Sequence, residues 1–299
     1  MNILFFFQNK LQRCQFFEKF PTYIDKYTWL LQPRIQKITQ KNNGKEVIPM
    51  HYVCGDIHGQ YDDYMQILEQ IDLKDDDTLY IIGDAIDRGP RPVDVLIDIM
   101  SRKNVVFTIG NHEHMMIQSL LHEDSNQLYS WTLNGAETTY RQWDELDMDK
   151  QAEILNWLNE CPIVVPDLYV NGRNYYLTHA CHLPYAERKR VRYCDAPVSE
   201  IEEMVWARTY QYPDPKKLAK QYRKLYQAYP NTTLIVGHNP VYRCSYGILK
   251  KDGTCRISRA CSGHLINIDC GCAKRKPLGC ICLEDGKEFY AKHKEPAEL

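Results

Sequence analysis

From His51 onward the chain alternates between short unbroken apolar runs and longer stretches in which apolar residues recur every three to four positions. "HYVC" (51–54) is β-branched and aromatic and stops at a glycine. The segment after it carries Tyr61, Tyr64, Met65, Leu68 and Ile71, spaced as on one helix face. "TLYII" then reads as a strand closing at Gly83, and "RPVDVLIDIMSR" as a helix with Pro92 suited to its first turn. "NVVFTI" is a strand closing at Gly110, and "HEHMMIQSLLH" is helical again. Strand and helix alternating three times predict parallel α/β units.

The pattern changes beyond residue 122. Two tryptophan-bearing helical patches, "SWTLNGAETTYRQW" and "DKQAEILNWLNE", fall within 123–160. Short strands follow: "IVVPDLYV", "NYYLTHA", "TLIVGH", "HLINIDC", "GCICLE" and "EFYAK", with a helical segment over about 214–228 among them. Strand-dense sequence after an α/β half predicts a second, mixed sheet packed on the first. Residues 1–49 show no clean period. They read as an appended segment of uncertain structure, with a basic partner-docking helix within 10–41 as an alternative. The compact domain is expected over 50–299, with Met50 as a candidate true start.

The predicted strands end on reactive residues. "GDIHG" supplies Asp56 and His58, "GDAIDRG" supplies Asp84, Asp87 and Arg88, and "GNHE" supplies Asn111, His112 and Glu113. Later strands end at His179 and His238. Asp56 to Asp84 is 28 residues and Asp84 to Asn111 is 27, about one strand–helix–strand unit each. In open α/β sheets ligands gather beyond the carboxyl ends of strands. Asp56, His58, Asp84, Asn111, His179 and His238 can therefore converge. Carboxylates crowded together call for a cation, and a mixed nitrogen and oxygen set suits manganese, iron or zinc over magnesium or calcium. Six ligands exceed the needs of one open catalytic site. Two divalent ions about 3.5–4 Å apart and sharing a carboxylate use them economically, with Asp84 as the bridge.

Composition narrows the picture further. The chain has 299 residues, 44% of them apolar, enough for a sizeable core. A net charge of −2 and the absence of a basic stripe argue against a nucleic-acid partner. Residues 1–50 carry eight Lys/Arg against three Asp/Glu, a local excess of five positive charges. No run approaches the roughly 20 apolar residues of a membrane span, and "NILFFF" lacks the flanks of a signal peptide, so a cytoplasmic protein is expected. The twelve cysteines include no C-x-x-C. Cys270, Cys272, Cys280 and Cys282 could bring four thiolates together across a hairpin, but without zinc-site spacing they are expected to be reduced core residues.

The series "GDIHG…GDAIDRG…GNHE…HA…GHNP" resembles the calcineurin-like metallophosphoesterases over roughly residues 50–290. It is similar to the phosphoprotein-phosphatase branch, which includes bacterial serine/threonine phosphatases and symmetrical dinucleoside-tetraphosphate hydrolases. The resemblance implies an α/β fold of two mixed β-sheets packed as a sandwich and flanked by helices, with a dinuclear site at strand ends. It implies that Asp56, His58 and His238 hold one metal, that Asn111 and His179 hold the other, and that Asp84 lies between. "MVWAR" resembles the family's Trp-x-Arg and makes Arg208 a phosphate ligand beside Arg88. Cys270 stands where a Thr or Ser is common, and "SWTLNGAETT" resembles a W-x-x-N-G-G-x-x-T stretch in which Ala136 replaces the second glycine.

The expected mechanism is in-line attack of a metal-bridging hydroxide on phosphorus, with Arg88 and Arg208 clamping the phosphoryl oxygens. His112 is the expected general acid, oriented and raised in pKa by Asp87; Glu113 is expected to brace its loop. The substrate is expected to be a phosphorylated serine/threonine protein, or a small phosphoester or nucleotide. Cleavage of dinucleoside polyphosphates is the alternative, with Tyr129, Trp131 and Tyr140 as candidate stacking aromatics. A non-catalytic phosphate-binding scaffold would show an eroded ligand set, and none is eroded.

Overall fold

The computed structural model describes residues 41–42, 45–46, 48–182, 191–211, 215–228, 230–251, 254–291 and 293. The chain forms two compact units, Met1–Val47 and Ile48–Leu299. The docking helix anticipated within 10–41 lies outside the described residues. In the first unit, Lys41–Asn42 pairs with Lys45–Glu46 as a minimal antiparallel ladder.

The second unit contains two five-stranded mixed sheets flanked by helices. In the first sheet β1 (His51–Cys54), β2 (Thr78–Ile82) and β3 (Val105–Thr108) run parallel. The hairpin of β9 (Leu278–Cys282) and β10 (Glu288–Ala291) adds to it antiparallel, giving the order β10-β9-β1-β2-β3. In the second sheet β5 (Arg173–Thr178), β6 (Thr232–Val236) and β8 (Leu265–Asn267) are parallel. Its edges are antiparallel: β4 (Val164–Val170) on β5 and β7 (Ser258–Ala260) on β8, in the order β7-β8-β6-β5-β4.

The central strands bury both faces, which is why they read as continuous apolar runs. Pro166 falls in an edge strand at a register shift between Val165 and Leu168, a place where a missing N–H is tolerated. Connecting helices begin where the sequence supplies caps. α1 (Tyr61–Ile71) closes at Asp72 in the left-handed conformation, and α2 (Pro92–Ser101) opens on its proline. α3 (Asn111–Leu120) starts directly on site residues.

The first tryptophan patch is not one helix. It splits into α4 (Ser125–Leu133) and α5 (Glu137–Asp144), because Asn134-Gly135 turns the chain at a Gly135 φ of +98°. α6 (Met148–Glu160) follows, capped by the Asp147 carboxylate. α7 (Val198–Trp206) and α8 (Pro215–Ala228) complete the described helices. Strand β7 and a small ladder of Ile248–Leu249 with Cys255–Arg256 were not anticipated.

Cys270, Cys272, Cys280 and Cys282 are buried and free, and Cys280 faces Cys54 across β9 and β1. Among the described residues, no group able to hold a metal includes a cysteine. No described helix is long and apolar enough to cross a membrane.

Candidate metal centre

The strand ends of both sheets meet at one rim. β1 is followed by Asp56 and His58, β2 by Asp84, and β3 by Asn111, while β5 delivers His179 and β6 delivers His238. The ends of β2 and β3 approach so closely that a Cβ on Gly83 would sit 2.6 Å from Gly110 Cα, and only glycine fits there. Five of the anticipated residues adopt positive φ: His58 (+49°), Asp84 (+53°), Asp87 (+69°), Arg88 (+67°) and His238 (+62°). Strain of this kind persists only where surrounding bonds over-determine the backbone. For Asp84 the brace is Glu113. Its Oε1 accepts from the N–H of Ala85 (2.9 Å) and Ile86 (3.3 Å), and its Oε2 from Asp84 (2.9 Å) and Gly110 (3.0 Å).

Two sets of ligand atoms share Asp84. One is His58, Asp84 and His112; the other is Asp84, His179 and His238. His58 Nε2 lies 3.5 Å from Asp84 Oδ2, and His179 Nε2 lies 3.4 Å from Asp84 Oδ1. Asn111 Oδ1 lies 3.0 Å from His179 Nε2 and 2.9 Å from His238 Nδ1. His238 therefore sits with Asn111 and His179, not with His58 as the sequence reading had grouped it. The reason is topological: β6 adjoins β5 in the second sheet, whereas Asp56 and His58 follow β1 in the first. Asp56 remains nearby, with both carboxylate oxygens accepting from the His238 N–H at 3.2 and 3.1 Å.

The donor chemistry fits cations. His58 Nδ1 and His179 Nδ1 donate to the carbonyls of Ile86 (3.0 Å) and Ile82 (2.8 Å), which leaves Nε2 lone pairs aimed inward. His179 Nε2 then faces two oxygens, a set of lone pairs that an electrophile would reconcile. His238 Nε2 is buried without a hydrogen-bond partner. Burial pushes the pKa of His58, His179 and His238 down, His238 to about 3, so all three imidazoles are neutral and able to ligate. Burial, then Asp269 and Asp84, raise Asp56 well above the carboxylate range. Burial also lifts Asp269 to about 7, against the Gly271 N–H that stabilises its charged form. This accumulation of buried carboxylates is what a pair of dications would neutralise.

Beside the ligand cluster, His112 Nδ1 lies 2.5 Å from Asp87 Oδ2. Asp87 is itself fixed: Trp131 Nε1 donates to Oδ2 (2.7 Å), and Thr139 Oγ1 donates to Oδ1 (2.5 Å). All four side chains are fully buried. Trp131 is thus a buried hydrogen-bond donor with Tyr140 packed against it, not a stacking platform. None of Tyr129, Trp131 and Tyr140 lines the cleft.

Arg88 NH1 donates to His58 Nε2 (2.7 Å) and NH2 to His112 Nε2 (2.8 Å), while its Nε reaches Asn134 O (3.3 Å). Arg208 NH1 donates to Asn239 Oδ1 (2.7 Å). Both guanidiniums line a cleft of about 420 Å³ that also contains Trp206, Tyr242, Arg243, Asp269 and Lys274. Sequence reasoning missed Thr139, Asn239, Asp269, Arg243 and Lys274. Thr139, Asn239 and Asp269 lay inside recognised stretches, "SWTLNGAETT", "GHNP" and "NIDC", but no role had been assigned to them.

Comparison with known proteins agrees with this geometry. The family model of the calcineurin-like phosphoesterases matches residues 52–265. Over 152 residues the chain is 28% identical to the symmetrical bis(5'-nucleosyl)-tetraphosphatase of Salmonella paratyphi C, covering 50% of this chain and 49% of that protein. The chain thus spans about half the length of the curated relatives it matches. Among solved structures, a serine/threonine protein phosphatase from Saccharomyces cerevisiae superposes with a TM-score of 0.52 at 14% identity, covering 84% of this chain and 82% of that one. A cold-active protein tyrosine phosphatase gives a TM-score of 0.52 at 18% identity over 82% and 79%. At these identities the structural likeness speaks to fold alone.

Proposed function

This chain belongs to the calcineurin-like phosphoesterases, and from that premise we propose that it is a metal-dependent hydrolase of phosphate monoesters, acting on phosphorylated serine or threonine in proteins. The observation that supports this reading best is the Asp87–His112 pair lying against an Asp84-centred ligand cluster. In this reading Asp56, His58 and Asp84 hold one divalent ion, and Asp84, Asn111, His179 and His238 hold a second. When bound, such ions would supply Lewis acidity toward phosphoryl oxygens and acidify a water; the mixed nitrogen and oxygen donor set suits manganese, iron or zinc.

The chain's own residues do the rest. Arg88 and Arg208 hold phosphoryl oxygens and balance charge as it shifts to the leaving group. His112 carries a proton at Nε2 to the departing alkoxide, and Asp87 stabilises the imidazolium through Nδ1. Trp131 and Thr139 keep Asp87 aimed. Glu113 holds the Asp84 loop and takes no part in proton transfer.

A second reading, cleavage of dinucleoside polyphosphates, is favoured by Arg243 and Lys274 in the same cleft. These are two cations beyond what a single phosphoryl group needs. Purified protein with added manganese, given a phosphoserine peptide and a dinucleoside tetraphosphate in parallel, separates the readings by relative kcat/KM. Absence of turnover on both, with metal bound, would sink the proposal. His112→Asn should retain metal and lose most of the turnover; persistence of activity would remove His112 from the donor role.

A further inference from the structure

Arg208 is an exposed side chain on the loop after α7, with several rotatable bonds to immobilise before it can clamp a phosphoryl group. An arginine ordered beforehand avoids that penalty at the moment of binding. We propose that Asn239, in the "GHNP" turn, is the positioning residue that orders Arg208 and leaves its charge intact for substrate. The inference rests on the role given to Arg208 above.

Three observations support it. Asn239 Oδ1 accepts from Arg208 NH1 at 2.7 Å, whereas the other side-chain acceptor, Gln211 Oε1, is 3.5 Å away. Asn239 is itself immobile: it is 2% exposed, its N–H donates to Gly237 O (2.6 Å), and its carbonyl accepts from Asn267 Nδ2 (2.7 Å). Asn267 is fully buried, and its Oδ1 accepts from the Asp269 N–H at 3.0 Å, so the end of β8 anchors the turn. Pro240 further restricts the backbone of Asn239 to extended conformations.

The chemistry of an amide matters here. A carboxylate at this position would hold the guanidinium equally well, but it would compete with phosphate for the positive charge. An amide oxygen fixes direction and leaves the full charge available. Asn239 also follows His238 directly, and Trp206, two residues before Arg208, packs edge-on against the His238 ring at 6.1 Å. One turn thereby sets the spacing between a candidate metal ligand and the phosphate clamp.

The test uses the full-length manganese-loaded protein, p-nitrophenyl phosphate as substrate and inorganic phosphate as a competing product. Asn239→Leu, close in volume and without an acceptor, should lower kcat/KM about tenfold, the scale of a lost hydrogen bond to a charged group. The inhibition constant for phosphate should rise by a similar factor while bound metal per chain stays at the wild-type value. Arg208→Ala should lose more, and the double variant should be no worse than Arg208→Ala within about twofold, because residues acting as a unit are non-additive.

Multiplying losses, or Asn239→Leu within twofold of wild type, would overturn the inference and leave the proposed function standing. A silent Arg208→Ala would overturn the clamp and this inference together, and the His112→Asn experiment would still report on hydrolysis. Should the leucine variant not fold, Asn239→Asp preserves shape and acceptor but neutralises Arg208. It should weaken phosphate inhibition at least as strongly, and unchanged inhibition would refute the idea.

Discussion

Thr139→Val tests the proton-donor assembly with almost no change in side-chain volume. Thr139 Oγ1 donates to Asp87 Oδ1 at 2.5 Å and accepts from the Asp87 N–H at 3.1 Å, and both residues are fully buried. Valine removes both bonds without opening a cavity. Losing a hydrogen bond to a buried carboxylate costs about 1.5–3 kcal/mol, and the stranded Asp87 N–H adds about 1–3 kcal/mol. A total near 4 kcal/mol follows, which for a domain of this size lowers the melting temperature by roughly 8–16 °C. The kinetic signature is more specific. Asp87 keeps Trp131 and His112 but loses its second anchor, so proton delivery suffers while phosphate binding does not. We expect kcat on a phosphoserine peptide to fall about tenfold with KM little changed, the pattern of an interaction made only in the transition state. p-Nitrophenyl phosphate, whose leaving group departs without a proton, should lose much less. Equal losses on the two substrates, or a melting temperature within about 2 °C of wild type, would refute the reasoning.

Three further outcomes follow from the same structure. Glu113→Ala strands the four N–H groups now accepted by one carboxylate, so metal content and melting temperature should both fall; retention of wild-type metal stoichiometry would show that the Asp84 loop needs no brace. Burial and neighbouring carboxylates raise Asp56 and lift Asp269 to about 7 in the metal-free protein, so the stability Asp269 contributes is present below about pH 4 and lost as pH rises through 7, with Asp56 acting in the same direction; melting with and without chelator should therefore diverge as pH increases from 4 to 8. Glu284 is the opposite case: burial raises it, but hydrogen bonds from the His51 ring (2.6 Å) and N–H (2.8 Å) outweigh burial and lower its pKa, so its contribution holds above pH 4.5 and disappears as pH falls below; Glu284→Gln should flatten the acid limb of the melting curve, and an unchanged limb would remove this pair from acid unfolding.

What could be read from the sequence follows from how far each signal reaches along the chain. β1, β2 and β3 bury both faces, so they appear as apolar runs that stop at a glycine, with the reactive residue next in line. That local signal was enough to mark Asp56, His58, Asp84, Asn111, His179 and His238 as strand-end candidates. It could not say which strand adjoins which. The placement of His238 beside His179 depends on β6 pairing with β5, a contact between segments more than 50 residues apart. Thr139 and Asn239 fell inside quoted motifs yet received no role, for a related reason. Neutral polar residues have many structural uses, and their partners, Asp87 and Arg208, lie 52 and 31 positions away. Trp131 was noticed for its ring, whereas its contribution is the indole N–H.

The same residues suggest how this rim keeps opposite charges useful at short range. Asp56, Asp84 and Asp269 crowd together, and four cationic side chains line the same cleft. If the guanidiniums paired with those carboxylates, the ligand set would be spent on arginine and the clamp on aspartate. Instead the carboxylates are engaged by backbone N–H groups: Asp56 by His238, Asp84 by His112 and Asp269 by Gly271. Arg88 is tethered by Asn134 O and two imidazoles, and Arg208 by the Asn239 amide. None of these partners is a carboxylate, so direction is fixed without cancelling charge, and under the proposed function the acids stay open to cations and the arginines to phosphate. The principle is testable at position 239, where a carboxylate would keep the packing and still impair the clamp. At position 134 the tether is a main-chain carbonyl, so only Asn239→Asp should do so directly; equal damage from Asn134→Asp would show that local field, and not the hydrogen bond, governs Arg208 and Arg88 alike.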